Sequence, residues 1–168
     1  MKLKLFLSLI ISVSFFFHVH AQKFGHINSA LLIEQHPKVA LANTQLESFQ
    51  KIVSDSFALK VKAFEDKYKL FLQDANSGTL SQVVTETRQN ELKAEQQALA
   101  TEEQQVKFRI LQKREALLQP ILTEIDSIIQ AVGKEGKYTM IFDTSVGGAL
   151  LFAEPGEDIT ELVKTRCK

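Results

Sequence analysis

Two histidines, one cysteine and two glycine-bearing turns are the residues from which this sequence would have to build a catalytic or metal site. His26 and His36 are the histidines beyond the first 21 residues. They show neither the spacing of metal ligands nor a cysteine partner, which makes them ordinary residues of a folded body. Asp143-Thr144-Ser145-Val146-Gly147 carries the serine of a nucleophile elbow, with Asp143 where the first glycine belongs. Gly133-Lys134-Glu135-Gly136-Lys137 has part of a phosphate-cradling loop. Ala131 stands for its first glycine, Tyr138 for its Ser/Thr, and a helix precedes it where a strand is required. Both segments read as turns. Cys167 is the single cysteine, so the fold has no internal disulfide, and its thiol is either free or bonded between subunits. The sequence therefore predicts no catalytic residue, no metal and no cofactor: a binding protein and not an enzyme.

What the sequence does offer for binding is a stripe of large apolar side chains. Leu46, Phe49, Val53, Phe57, Val61, Phe64, Tyr68 and Phe71 recur at three- and four-residue spacing, the period of one helix face. Five of the eight phenylalanines beyond residue 21 (Phe49, Phe57, Phe64, Phe71 and Phe108) fall between residues 38 and 119. Such a stripe either zips two helices together or stays open to a partner. The opposing stripe of Leu92, Leu99, Val106, Ile110, Leu117 and Ile121 is thinner and set among Glu and Gln. Part of the aromatic surface is thus expected to remain uncovered or to be shared between subunits. Phe57, Val61, Phe64, Tyr68 and Phe71 are the candidate residues for holding a client or lining the hairpin core.

The elements that must carry the stripe follow from where helix breakers are missing. Between Lys38 and Val132 stand one glycine, Gly78, and one proline, Pro120. Pro37 and Pro120 lie almost equally far from Gly78 on its two sides. Asn76-Ser77-Gly78 signals a turn, and Thr79 with Gln82 reads as a capping box opening the next helix. The prediction is an antiparallel helical hairpin over 38–119 with its tip near 76–79, each arm roughly 60 Å long at 1.5 Å per residue. The remainder, 22–37 and 120–168, is expected to form a small α/β body. Lys23 to Asn28 alternates like a strand, and Ser29 to Gln35 is a short helix. Tyr138 to Asp143 is a second strand, and Ala149 to Ala153 a third, joined to it by a hairpin turn over Ser145 to Gly148. Asp158 and Glu161 cap a last helix. Phe24, Ile27, Ile141, Leu150 and Phe152 are expected to fill this body and its subunit contacts.

The first 21 residues read as an export signal. Lys2 and Lys4 precede the apolar run Leu5 to Phe17, and Val19-His20-Ala21 suits a cleavage site before Gln22. The run is short for a membrane anchor, and no cysteine follows Ala21 for lipid attachment. The whole chain balances 20 basic against 20 acidic residues. It lacks the broad positive field of a nucleic-acid binder.

In this order the pieces resemble the Skp/OmpH family of periplasmic chaperones. The residues that carry the resemblance begin with Phe24-Gly25-His26-Ile27-Asn28 through Pro37 and the long charged hairpin. They continue with Pro120 and the helix after it, then Gly136-Lys137-Tyr138-Thr139-Met140-Ile141-Phe142-Asp143, and Asp158-Ile159-Thr160. The resemblance implies an α+β homotrimer whose strands assemble a small barrel, with three hairpins hanging as tentacles. It implies ATP-independent holding of unfolded outer-membrane β-barrel proteins in the periplasm. Members with basic tentacles also attract acidic clients, lipopolysaccharide or anionic membrane. Segment 38–119 is near neutral, with 12 basic and 11 acidic residues, which argues against such capture here. The alternative function is a structural coiled-coil adaptor of the envelope with one fixed protein partner.

Overall fold

The computed structural model describes residues 22–147 and 150–167. The expected signal segment lies outside these residues, as do Gly148 of the expected turn and Ala149 of the expected third strand. Strand β1 (Phe24–Ile27) leads into helix α1 (Ser29–Glu34), then the long helices α2 (Pro37–Asn76) and α3 (Gln82–Glu135). Strand β2 (Met140–Asp143), a single 3-10 turn (Pro155–Glu157) and helix α4 (Thr160–Lys164) follow.

β1 and β2 pair in parallel, Phe24 opposite Met140 and Ile27 opposite Asp143. A parallel pair needs a long crossover, and here the crossover is the whole helical hairpin. Thr139 N–H donates to the Lys23 carbonyl (2.6 Å), Thr144 N–H to that of Ile27 (2.8 Å) and Ile159 N–H to that of His26 (2.9 Å). These bonds draw the C-terminal segments onto β1, so both ends of the described chain meet in one body. Its core is Ile27, Leu32, Val39, Ala42, Ile121, Ile125, Val132, Ile159 and Val163, contributed by β1, α1, the root turns of α2 and α3, and the C-terminal segment. Ile141 packs against it.

α3 runs 54 residues without interruption, through Pro120. Proline removes one backbone donor and normally ends or kinks a helix. Ile121 and Ile125, just beyond it, are buried in the body core, and that packing carries the helix on. The helix ends where the Gly136 N–H donates to the Val132 carbonyl (2.8 Å) and the Tyr138 N–H to Gly133 (2.9 Å). The left-handed residue of this cap is Lys137 (φ 55°) and not a glycine. Glycine is required at 136 for another reason: a Cβ there would stand 2.4 Å from the Tyr138 ring.

Three local expectations are corrected. The second arm is capped by Ser81, whose Oγ accepts from the Val84 N–H (3.4 Å), while Thr79 Oγ1 donates back to the Asp74 carbonyl (3.2 Å). Thr79 closes the turn and does not open the helix. Asp158 accepts from the Thr160 N–H (2.8 Å), but the residue at the α4 cap is Ile159, and Glu161 pairs with Lys164. Leu150 to Ala153 form no strand. A strand needs a neighbour to take its backbone groups, and this segment of a single chain has none. Leu150 is half-buried, whereas Leu151 is 94% and Phe152 77% exposed.

The serine-bearing turn after β2 is a structural knot. Asp143 accepts from the Ser29 N–H (3.2 Å), the Ser29 hydroxyl (2.5 Å) and the Ser145 N–H (2.9 Å), tying the start of α1 to the end of β2. Partial burial works to raise its carboxyl pKa, yet these donors together hold it below the usual carboxylate range. A depressed folded-state pKa gives stability that is present above the unfolded value of about 3.9 and is lost as pH falls through the folded one. Asp143→Asn is therefore expected to lower stability at neutral pH and to flatten the acid limb of a melting-temperature profile. An acid limb identical to the wild type would show that the knot contributes nothing.

Candidate hairpin binding surface

The arms of the hairpin meet in one fixed register. Lys38 pairs with Glu124, Lys60 with Glu102 (2.5 Å), Lys67 with Glu95 (2.8 Å) and Asp74 with Arg88 (2.7 Å). In every pair the two residues stand equally far from position 81. The three pairs nearest the tip follow at seven-residue intervals along both arms, the repeat of a coiled coil. Donation from Lys38 holds the Glu124 carboxyl below its ordinary range against slight desolvation. Arg109 and Lys113 continue the contact, each 5.9 Å from the centre of the Phe49 ring. Exposed ion pairs contribute only about 0.2–1 kcal/mol each, so this ladder fixes alignment more than it adds stability.

The apolar seam beside the ladder is closed unevenly. Val53 and Val106 are buried midway, and Phe71 is buried near the tip at 7% exposure. Between them Phe57, Val61 and Phe64 are half-buried and Tyr68 is 46% exposed, its ring 6.3 Å from that of Phe64 and nearly parallel to it. The register explains the gap. By the register of the ion pairs Ala98 falls level with Phe64, Ala94 with Tyr68 and Thr101 with Val61, side chains too small to cover such large neighbours. Near the tip a cleft of about 410 Å³ lies between the arms, floored by Phe71 and Leu92 and framed by the Lys67–Glu95 and Asp74–Arg88 pairs.

Of the five candidate stripe residues, the structure buries only Phe71, and Phe57 and Val61 line a shallow recess formed by α2 residues alone. A second apolar line escaped the sequence reading. Leu41, Ile52, Leu59 and Leu70 lie 11, 7 and 11 residues apart, so each returns to the same helix face. They are 59–70% exposed, and Leu70 also lines the cleft between the arms near the tip. The signal was in the spacing, but a heptad search favours the stripe with the aromatics. On α3, Phe108 and Leu111 are also exposed.

The outer face of the body is apolar as well. Gly25 and Ile27 of β1 face the core, whereas Phe24 and, on β2, Met140 and Phe142 face outward. The Phe24 and Phe142 rings lie 6.3 Å apart. With Val146, Leu151 and Phe152 they give the body a run of exposed apolar side chains. The ring nitrogens Nε2 of His26 and His36 are buried without a hydrogen-bond partner. Among the described residues no cluster of His, Cys, Asp and Glu is arranged to hold a metal, and no helix is long and apolar enough to cross a membrane. Cys167 packs against the core edge, its thiol donating to the Val163 carbonyl (3.5 Å); burial pushes that thiol up in pKa, as does Glu124 nearby.

The sequence model of the family described as Outer membrane protein (OmpH-like) matches residues 23–166, nearly all of the body and hairpin. The chain belongs to the OmpH-like family. The fold agrees: this OmpH-like chain is similar to the crystal structure of an OmpH-like candidate outer membrane chaperone from Caulobacter crescentus CB15. The TM-score is 0.72 and the identity 19%, over 89% of this chain and 86% of that one. No curated protein matches the OmpH-like chain by sequence. At such low identity the likeness concerns architecture: long helices on a small two-stranded body.

Proposed function

We propose that this chain is a nucleotide-independent holdase of the periplasm that keeps unfolded outer-membrane β-barrel proteins from aggregating. Membership of the OmpH-like family supports a chaperone role. The observation that carries the finer reading is apolar surface left open along a projecting arm: Tyr68 beside the half-covered Phe57, Val61 and Phe64, and the line of Leu41, Ile52, Leu59 and Leu70. Burying one large apolar side chain contributes about 1.5–3 kcal/mol, so a few such contacts give a client useful but reversible affinity. In this reading residues 1–21 are a cleaved signal, 22–37 and 120–168 form the assembling body, and 38–119 is the tentacle. The body joins three copies through its exposed apolar face and the segment Leu150 to Ala153, which gains in a neighbour the strand partner that it lacks alone.

The decisive experiment dilutes an unfolded outer-membrane β-barrel protein from urea with and without the mature chain, in the absence of nucleotide. Suppressed light scattering, with one client held by three copies in native mass spectrometry, is the expected outcome. A second reading, a rigid envelope adaptor, draws support from the ion-pair ladder, since a spacer needs its arms locked. It predicts unchanged scattering and saturable binding to one folded partner. Lipopolysaccharide and anionic membrane are not expected partners, because the hairpin is near neutral and six of its nine lysines are ion-paired.

A further inference from the structure

From the export reading above and the packing around β1, we infer that the mature N-terminus is closed into a pyroglutamate ring at Gln22. Cleavage after Ala21 would leave Gln22 with a free α-amine and a side-chain amide on the same residue. The amine nitrogen attacks the amide carbon Cδ, a C–N bond closes a five-membered lactam, and the amide nitrogen leaves as ammonia with the proton balance made up from the attacking amine. No oxidant, cofactor or second substrate enters the reaction. Free α-amines titrate at about 8, so a reactive fraction exists at neutral pH.

The structure supplies the accessibility that this step needs. Gln22 is exposed and precedes the strand, and among the described residues no hydrogen bond holds its side chain. Its neighbour, in contrast, is fixed three ways. The Lys23 carbonyl accepts from the Thr139 N–H (2.6 Å), and the Lys23 ammonium donates to the Gly136 carbonyl (3.1 Å) while lying 3.9 Å above the Tyr138 ring. The order of the body thus begins at Lys23, one residue inside the new terminus. Beside Gln22 a recess of about 390 Å³, bounded by Phe24, Tyr138 and Glu157 among others, gives the lactam room. Ring closure removes a cation next to Lys23 and leaves an end that aminopeptidases cannot grip.

The test is the intact mass of the protein isolated from the envelope of an expressing cell. The expected species is residues 22–168 less about 17 Da for the lost ammonia, resistant to N-terminal sequencing until treated with pyroglutamyl aminopeptidase. Gln22→Ala, cut at the same bond, should show no such loss. A mass equal to residues 22–168 that stays unchanged on long incubation at neutral pH overturns the inference while leaving the export reading intact. A chain that begins at any other residue overturns both. A mature chain released in vitro with Gln22 first, and followed by mass, isolates ring closure from the cellular cut; failure to lose ammonia there also overturns it. None of these outcomes depends on whether the protein protects clients.

Discussion

Replacing Leu151 and Phe152 together by aspartate is expected to convert the proposed trimer into monomers with no loss of helix. Both side chains are almost wholly exposed in the single chain, 94% and 77%, so their removal takes little from its core. In a trimer each would be covered, at about 1.5–3 kcal/mol per side chain. Losing both, and placing a carboxylate at each position, should weaken association by at least about a hundredfold, since each 1.4 kcal/mol is a factor of ten. Native mass spectrometry and far-ultraviolet circular dichroism read the two quantities separately. An unchanged oligomer with unchanged helicity would remove this segment from the subunit contact. A fall in helicity would mean that the segment supports the fold of each chain instead.

The second large effect separates two neighbours on the aromatic stripe. Phe71 is buried in the seam, and truncating a buried phenylalanine costs about 3–5 kcal/mol. Phe71→Ser should therefore loosen the tip, seen as faster amide exchange on both sides of the turn. Tyr68 is 46% exposed and gives up mainly its stacking on Phe64, worth about 0.5–1.5 kcal/mol. Tyr68→Ser should leave helicity and melting nearly unchanged while client protection falls several-fold, and further when Leu59→Ser and Leu70→Ser are added. If the exposed residues could all be changed without raising scattering, the open stripe would be scaffold and the adaptor reading would take its place.

Long-range organisation was legible in the sequence because it depends on few, strong local rules. The absence of breakers between Lys38 and Val132 gave the two long helices, and Asn76-Ser77-Gly78 placed their turn: Gly78 takes the positive φ of 68° that such a turn requires. The alternation at Phe24 to Ile27 and the β-rich run before Asp143 gave the two strands. Their parallel pairing was not legible, since nothing in either strand records which distant segment it meets. Caps were misplaced by one or two residues because Thr79, Ser81 and Asp158 all carry suitable oxygens, and geometry alone decides among them. The third strand was read from composition. Leu150 to Ala153 do have a strand's residues, but a strand exists only with a neighbour, and one chain does not supply it. At the stripe, the sequence located the residues but not their cover, which depends on Ala94, Ala98 and Thr101 lying opposite.

The ladder that aligns the arms also restricts how this hairpin can change length over evolutionary time. Every cross-arm ion pair is centred on the same point near the tip. One residue inserted in a single arm would turn everything beyond it by about 100° and move every later pair out of reach. Tolerated changes should come as matched gains or losses in both arms, in whole seven-residue steps. Relatives with longer or shorter hairpins should then differ by paired heptads, while the body at the root stays the same size.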